Sequence, residues 1–271
     1  MSVPNVLTIA GSDPSGGAGV QADLKTFGAL GAYGCAVLTS LTAQSTKGVT
    51  GVHHVPAGFV REQVETLVDD VELAATKIGM LGSAEVVAVV GELVCRGGLG
   101  EVVLDPVMVS TAGSRLLDED AVEGVRALLP VVDLVTPNTA EAAVLLGLTP
   151  HAAARDLDEM HRHAQALLDL GAARVLLKGG HVAGDESVDL LVDGTGVREL
   201  SARRVPTRHT HGTGCTLSSA IAALRPRGDA WAETVAQAKD WLTGALTHAD
   251  ELSVGHAAGP VHHHWALWPR G

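Results

Sequence analysis

Residues 6–41, VLTIAGSDPSGGAGVQADLKTFGALGAYGCAVLTSL, hold the reading that decides the fold. Val6–Ala10 fits a short buried strand, and Ala36–Leu41 fits a second one. Between them Val20, Leu24, Phe27 and Leu30 recur at steps of four, three and three, the spacing of one helical face. A glycine-rich connection, Gly11–Gly19, joins the first strand to that helix. Strand, loop, helix and strand in this order make the opening unit of a parallel sheet.

The same alternation runs outward from this unit. Val60, Val64, Leu67, Val68 and Val71 form a second helical stripe, and Val102–Leu104, Leu134–Thr136 and Val175–Leu177 read as further buried strands. Such a pattern predicts a mainly parallel sheet with helices on both faces. Its connections are right-handed, so functional loops gather at the C-terminal ends of the strands. Ser187–Val192 and Val197–Leu200, on either side of Asp193-Gly194-Thr195-Gly196, break the rhythm as a β-hairpin. Leu148–Asp158 reads as an irregular insertion. No linker, repeat or low-complexity tract divides the chain, so one domain over residues 1–271 is expected, with no second catalytic domain fused at the C-terminus.

Hydrophobic residues make up 46% of the chain and charged ones 18%, which calls for a sizeable core. Nineteen basic against 31 acidic residues give a net charge of −12, which argues against general attraction to nucleic acid or anionic membranes. Cys35, Cys95 and Cys215 lie far apart without a CxxC pair, a usage that suits a reducing compartment. Neither a signal segment nor a membrane-length apolar run is present. The expectation is a cytoplasmic protein.

Several segments carry chemistry. Gly17-Ala-Gly19-Val-Gln-Ala22 matches the loose dinucleotide pattern GxGxxA, but its turn is too long and no acid follows between Thr39 and Lys47 to hold a ribose. Asp23 lies on the inward stripe of the first helix, either as an acid in an early turn or as an acceptor for a buried polar ligand. Gln44 offers the donor and acceptor needed to read the edge of a heteroaromatic ring, or is a solvated loop residue. Asp105 ends a strand, where it suits a metal or its waters, or belongs to an Asp-Pro turn. Asn138 and Glu141 either cap a helix as a pair or position magnesium and a phosphate. Lys178, before Gly179-Gly180, is placed to meet a polyphosphate. The strongest signal is His211-Gly212-Thr213-Gly214-Cys215-Thr216 before an Ala- and Ser-rich helix. Its unpaired first-turn N–H groups form an anion nest, the fixed donors that phosphoryl transfer requires. Cys215 at that position is expected to have a lowered thiol pKa. His161, His163 and His262–His264 lack the spacing of a metal ligand set and read as surface or packing residues.

In order along the chain, AGSDPSGGAGVQADLKTF (from Ala10), TAQST (from Thr42), TKIGMLGS (from Thr76), VVLDPVM (from Val102), VTPNTAEAAVLLG (from Val135), VLLKGGH (from Val175) and THGTGCTLSSAIAA (from Thr210) resemble the bacterial hydroxymethylpyrimidine/phosphomethylpyrimidine kinases, ribokinase-like enzymes of thiamine biosynthesis. The resemblance implies a three-layer α/β/α domain and two successive phosphorylations by ATP with Mg2+, first of a hydroxymethyl pyrimidine and then of its monophosphate. It implies that Gln44, Asp23, Gly11, Met80 and Val107 meet the pyrimidine, that Lys178, Asn138 and Thr210 meet ATP, and that Glu141 and Asp105 serve the metal. Gly212, Thr213, Gly214 and Cys215 match the anion hole, with Cys215 where most ribokinase-like enzymes carry an aspartate base. A homodimer is also implied. The chain departs from the family at Val109-Ser110-Thr111-Ala112-Gly113, where a lysine is usual, and at Ser45, where asparagine is usual. The nearest alternative activity is that of a vitamin B6 kinase; a nicotinamide-dependent oxidoreductase is the competing class.

Overall fold

The computed structural model describes residues 2–108, 121–180 and 184–268. Its strands are β1 (Asn5–Ala10), β2 (Tyr33–Leu38), β3 (Ser40–Ser45), β4 (Gly48–His54), β5 (Ala75–Ile78), β6 (Glu101–Leu104), β7 (Leu134–Val135), β8 (Arg174–Leu177), β9 (Glu186–Asp193) and β10 (Gly196–Arg203). The α-helices are α1 (Gly19–Ala29), α2 (Ala57–Val68), α3 (Ala84–Arg96), α4 (Ala121–Leu128), α5 (Thr139–Leu145), α6 (Leu157–Asp169), α7 (Thr213–Leu224) and α8 (Trp231–Thr247). Eight strands form one sheet in the order β10-β9-β8-β7-β6-β5-β1-β2. The pairings from β2 across to β8 are parallel, whereas β8, β9 and β10 pair antiparallel.

Side chains along the central strands alternate between two apolar layers, as the two-residue strand period requires. Leu7, Ile9, Val102, Leu104, Val175 and Leu177 pack with Val60, Val87 and Met160 on one face. Val6, Val103 and Leu176 pack with Phe27, Ile221 and Val235 on the other. Helices α2 to α6 therefore cover one face and α1, α7 and α8 the opposite one, giving the expected three layers. The predicted hairpin is β9–β10, and its turn is held by Asp193, which accepts from Thr195 N at 2.8 Å and Thr195 Oγ1 at 2.6 Å. The expected insertion at Leu148–Asp158 contains a 3-10 turn at Pro150–Ala152 and enters α6 at Leu157.

One expectation is corrected. Ala36–Leu41 is not a single strand: β2 ends at Leu38, and β3 pairs antiparallel with β4 in a separate two-stranded sheet. Thr39, fully buried, stitches the junction, its N–H donating to Ala10 O at 3.1 Å and its carbonyl accepting from Val55 N at 3.0 Å. Gln44 thus sits in a strand rather than a solvated loop. The family departure at 109–113 lies outside the described residues. Among the described residues, no helix is long and apolar enough to cross a membrane.

Candidate active site

A cavity of about 620 Å³ opens at the C-terminal ends of the parallel strands. Gly11 follows β1, Met80 follows β5, Asp105 and Val107 follow β6, Asn138 follows β7 and Lys178 follows β8, and all of them line it. Gln44 reaches it from β3, and Thr210, Gly212, Thr213, Gly214 and Cys215 border it from the start of α7. This is the crevice where open α/β sheets place their ligands, because the connecting loops converge there.

Two glycine-rich segments meet at the nest. Gly212 caps α7 with φ +78°, and a Cβ there would fall 1.8 Å from Gly17 O, so only glycine fits. Asp13, 1% exposed, ties the segments together. It accepts from Ser15 N and Oγ, Gly17 N, Ala18 N and, at 2.8 Å, His211 Nε2. Burial works to raise the Asp13 carboxyl, but the His211 and Ser15 contacts prevail and hold it below its ordinary value. Behind the nest Thr216 Oγ1 lies 3.1 Å from His263 Nε2, and burial pushes that imidazole down to about 3. His263 is thus a neutral packing residue.

No backbone carbonyl among the described residues accepts from the N–H of Gly214 or Cys215, which leaves those donors for an anion. The expected lowering of the Cys215 thiol is not found. Burial pushes it up to about 11, against the pull of the Lys77 ammonium and of the Gly19 N–H. Desolvation of a thiolate here outweighs its position at a helix N-terminus.

A carboxylate–lysine group lies beside the nest, close to Gly214. Lys178 Nζ is 2.8 Å from Asp105 Oδ1 and 3.9 Å from Glu141 Oε2. Burial works to lower the Lys178 ammonium, yet Asp105 and Glu141 leave it raised. Burial pushes Glu141 up to about 7; Lys178 draws it back in part, and Asp105 adds to the rise. Asn138 and Glu141 form a capping box, Asn138 Oδ1 accepting from Ala140 N and Glu141 N while Glu141 Oε2 accepts from Asn138 N at 2.7 Å. The capping reading of this pair therefore holds alongside its place on the cavity wall.

Asp23 requires a correction. It is fully buried beneath the cavity and offers no free acceptor to a ligand. Its Oδ1 accepts from Lys77 Nζ (3.0 Å) and Ser219 Oγ (2.6 Å), and its Oδ2 from Lys77 Nζ (2.9 Å) and Thr8 Oγ1 (2.6 Å). Of this cluster only Lys77 borders the cavity, and its side chain too has no exposed surface.

Sequence reasoning missed Lys77, Asp13 and a second buried pair, Lys239–Asp189. Lys239 Nζ lies 2.6 Å from Asp189 Oδ2, and Asp189 Oδ1 accepts from Gly179 N at 2.8 Å, steadying the turn after Lys178. A signal existed for Lys77, the one charged residue in the wholly buried run ATKI of β5. Asp13 and Lys239 carried none, since an acid in a glycine loop and a lysine in a helix are both ordinary surface residues.

A mainly parallel three-layer fold, with an anion nest at a helix start and a lysine–carboxylate group beside it in one cavity, defines a ribokinase-like phosphotransferase. The model of the phosphomethylpyrimidine kinase family matches residues 13–262, and the chain belongs to that family. It is 52% identical over 265 residues to the hydroxymethylpyrimidine/phosphomethylpyrimidine kinase of Escherichia coli (strain K12), covering 97% of this chain and 98% of that protein. Among solved structures it is similar to a phosphomethylpyrimidine kinase from Clostridium difficile 630, with 39% identity, a TM-score of 0.78 and coverage of 90% and 99%. It is also similar to the pyridoxal kinase from Staphylococcus aureus in complex with AMP-PCP and pyridoxal, with 33% identity, a TM-score of 0.88 and coverage of 98% and 96%.

Proposed function

We propose that the protein transfers a phosphoryl group from Mg-ATP to 4-amino-5-hydroxymethyl-2-methylpyrimidine and then to the resulting monophosphate, yielding the diphosphate used in thiamine biosynthesis. The observation that carries this reading is the convergence of Gln44, Lys178 and the Gly212–Cys215 nest on one cavity. Gln44 has an amide to match a heteroaromatic edge, with Gly11, Met80 and Val107 shaping the ring's surroundings. The free N–H groups of Gly214 and Cys215 face the charge that builds on the transferring phosphoryl group. Lys178 meets the polyphosphate, with Asn138 and Thr210 at its margin. Apolar Val205, Leu242 and Leu246 on the same wall suit a nucleobase.

Asp105 and Glu141 fit Mg2+, which binds through one or two carboxylates together with substrate phosphates and water. Their two carboxylates share Lys178 as a close partner, and Asp105 adds to the rise of Glu141 to about 7 that burial causes. Bound magnesium would offset both carboxylates and the charge of the phosphates.

A thiol pushed up to about 11 is protonated at neutral pH, so Cys215 works chiefly by positioning the hydroxymethyl oxygen. A loose phosphoryl-transfer transition state asks little of a strong base. In the second step the nucleophile is already anionic and needs less help. We further propose that residues 1–271 work as a single cytoplasmic domain, as the undivided chain and its cysteine usage suggest, and, from the family resemblance, as a homodimer.

The deciding experiment follows ATP consumption with magnesium, comparing the aminopyrimidine with pyridoxal and identifying products by mass. Mono- and diphosphorylated pyrimidine is the expected result. Phosphorylated pyridoxal alone would move the protein to vitamin B6 salvage, the reading that the likeness to a pyridoxal kinase favours.

A further inference from the structure

Lys239 and Asp189 form a buried ion pair to which the proposed chemistry gives no task. Lys239 Nζ lies 2.6 Å from Asp189 Oδ2, and each side chain is only 7% exposed. Desolvating two charges offsets most of their attraction, so such a pair is poor evidence of added stability. Its placement says more. Lys239, Leu242, Thr243 and Leu246 recur at i, i+3, i+4 and i+7, which puts them on one face of α8, and all four border the cavity. The ammonium therefore shares a wall with the apolar side chains assigned to the nucleobase. Asp189 precedes Leu190, which pairs with Leu177, the last residue of β8. From there its Oδ1 accepts from Gly179 N at 2.8 Å. The turn after Lys178 lies so close to β9 that a Cβ on Gly179 would fall 1.9 Å from Val188 O. Arg204 Nη1 donates to Gly180 O at 2.5 Å and pins the other side of the same turn.

We propose that the Lys239 ammonium fixes the Asp189 carboxylate and that this carboxylate fixes the Gly179–Gly180 turn, so that the pair sets the affinity for the nucleotide and leaves that for the pyrimidine alone. The inference rests on the Mg-ATP reading above, with Lys178 at the polyphosphate and α8 at the base. A turn already held in its bound shape loses less freedom when the nucleotide arrives, and the difference appears as affinity. Sheet order confines the effect to one side. β8 and β9 lie on one side of β7, whereas β6, β5 and β1, which precede Val107, Met80 and Gly11, lie on the other. Lys239 and Asp189 are thus positioning residues that act through the turn.

The test titrates Mg-ADP and the aminopyrimidine separately, by calorimetry, into the wild type, Lys239→Arg, Lys239→Met, Asp189→Leu and the double variant Lys239→Met/Asp189→Leu, with a thermal melt on each. Lys239→Met and Asp189→Leu should each weaken Mg-ADP by about tenfold, because the charge-assisted hydrogen bond to the turn is left unheld or lost. Affinity for the aminopyrimidine stays as in the wild type. Lys239→Arg, which keeps a cation against Asp189, recovers most of the nucleotide affinity. The double variant is no weaker than the weaker single, since both changes break one chain of contacts. It strands no charge, so it decides the matter where a single variant fails to fold. Wild-type affinity for Mg-ADP in the folded double variant overturns the inference, because a purely structural pair would move only the melt. Equal loss of both ligands overturns it too. So does a further drop of similar size on adding Lys239→Met to Asp189→Leu, which marks direct contact of Lys239 with the nucleotide. In each of these cases a wild type that binds both ligands and phosphorylates the pyrimidine keeps the proposed function. A wild type that binds no Mg-ADP defeats that function and the inference with it.

Discussion

Replacing Lys77 by methionine removes an ammonium that has no exposed surface and whose partner, Asp23, has none either. Asp23 loses both Lys77 contacts, at 3.0 and 2.9 Å, and keeps the hydroxyls of Thr8 and Ser219. Breaking one side of a buried pair strands the other charge, a loss of about 3–5 kcal/mol, and the two remaining hydrogen bonds place this case at the lower end. A chain of this size shifts its Tm by about 2 °C per kcal/mol, so Lys77→Met should melt roughly 6–8 °C below the wild type. The double variant Lys77→Met/Asp23→Leu removes the stranded carboxylate and should regain most of the loss, since an apolar replacement of the whole pair is often neutral or better. Urea and thermal melts at fixed protein concentration on the wild type, both singles and the double close the cycle. A single variant within about 1 kcal/mol of the wild type, or a double no more stable than Lys77→Met, would refute the assignment of Asp23 as the counter-ion of Lys77.

Three further outcomes are expected. Cys215→Ala should depress the first phosphorylation more than the second, measured by single-turnover product analysis, and equal losses would count against the positioning role. Alkylation of Cys215 by iodoacetamide should climb about tenfold per pH unit up to pH 10, because burial holds the thiol near 11; a plateau below pH 8.5 would show a low-pKa thiolate instead, and Cys215→Ala supplies the background from Cys35 and Cys95. Asp13→Asn should cost about 2–3 kcal/mol near neutral pH by loosening the loop–nest junction. Because the folded Asp13 carboxyl lies below its ordinary value, its contribution is present above the unfolded value of about 3.9 and is lost as pH falls through the folded one. The gap between variant and wild type in urea melts should therefore narrow only in acid.

The parallel sheet was legible because burial on both faces writes itself into short apolar runs separated by helical stripes. Val6–Ala10 and Val175–Leu177 needed no partner to be recognised as strands. The break at Leu38 was not legible, since no glycine or proline interrupts 36–41 and only the Thr39 contacts show where the chain leaves the main sheet. The nest was legible because glycine at 212 and 214 is a local backbone requirement. The state of Cys215 was not: a helix start predicts a lowered thiol, and the burial that reverses it comes from elements distant in the chain.

The sequence by itself determined the order of elements, the glycine nest, the lysine–carboxylate candidates and the resemblance to one family of kinases, all carried by residue type and near spacing. The tertiary structure alone decided which polar groups satisfy one another. It gave Asp23 to Lys77 from 54 residues away and to Ser219 from 196 away, gave Asp13 to His211 from 198 away, and gave Asp189 to Lys239 from 50 away. The physical reason is that a strand or a helix start follows from its own few residues. A buried charge or hydroxyl has to be neutralised by whatever packs against it, and that neighbour is set by the fold.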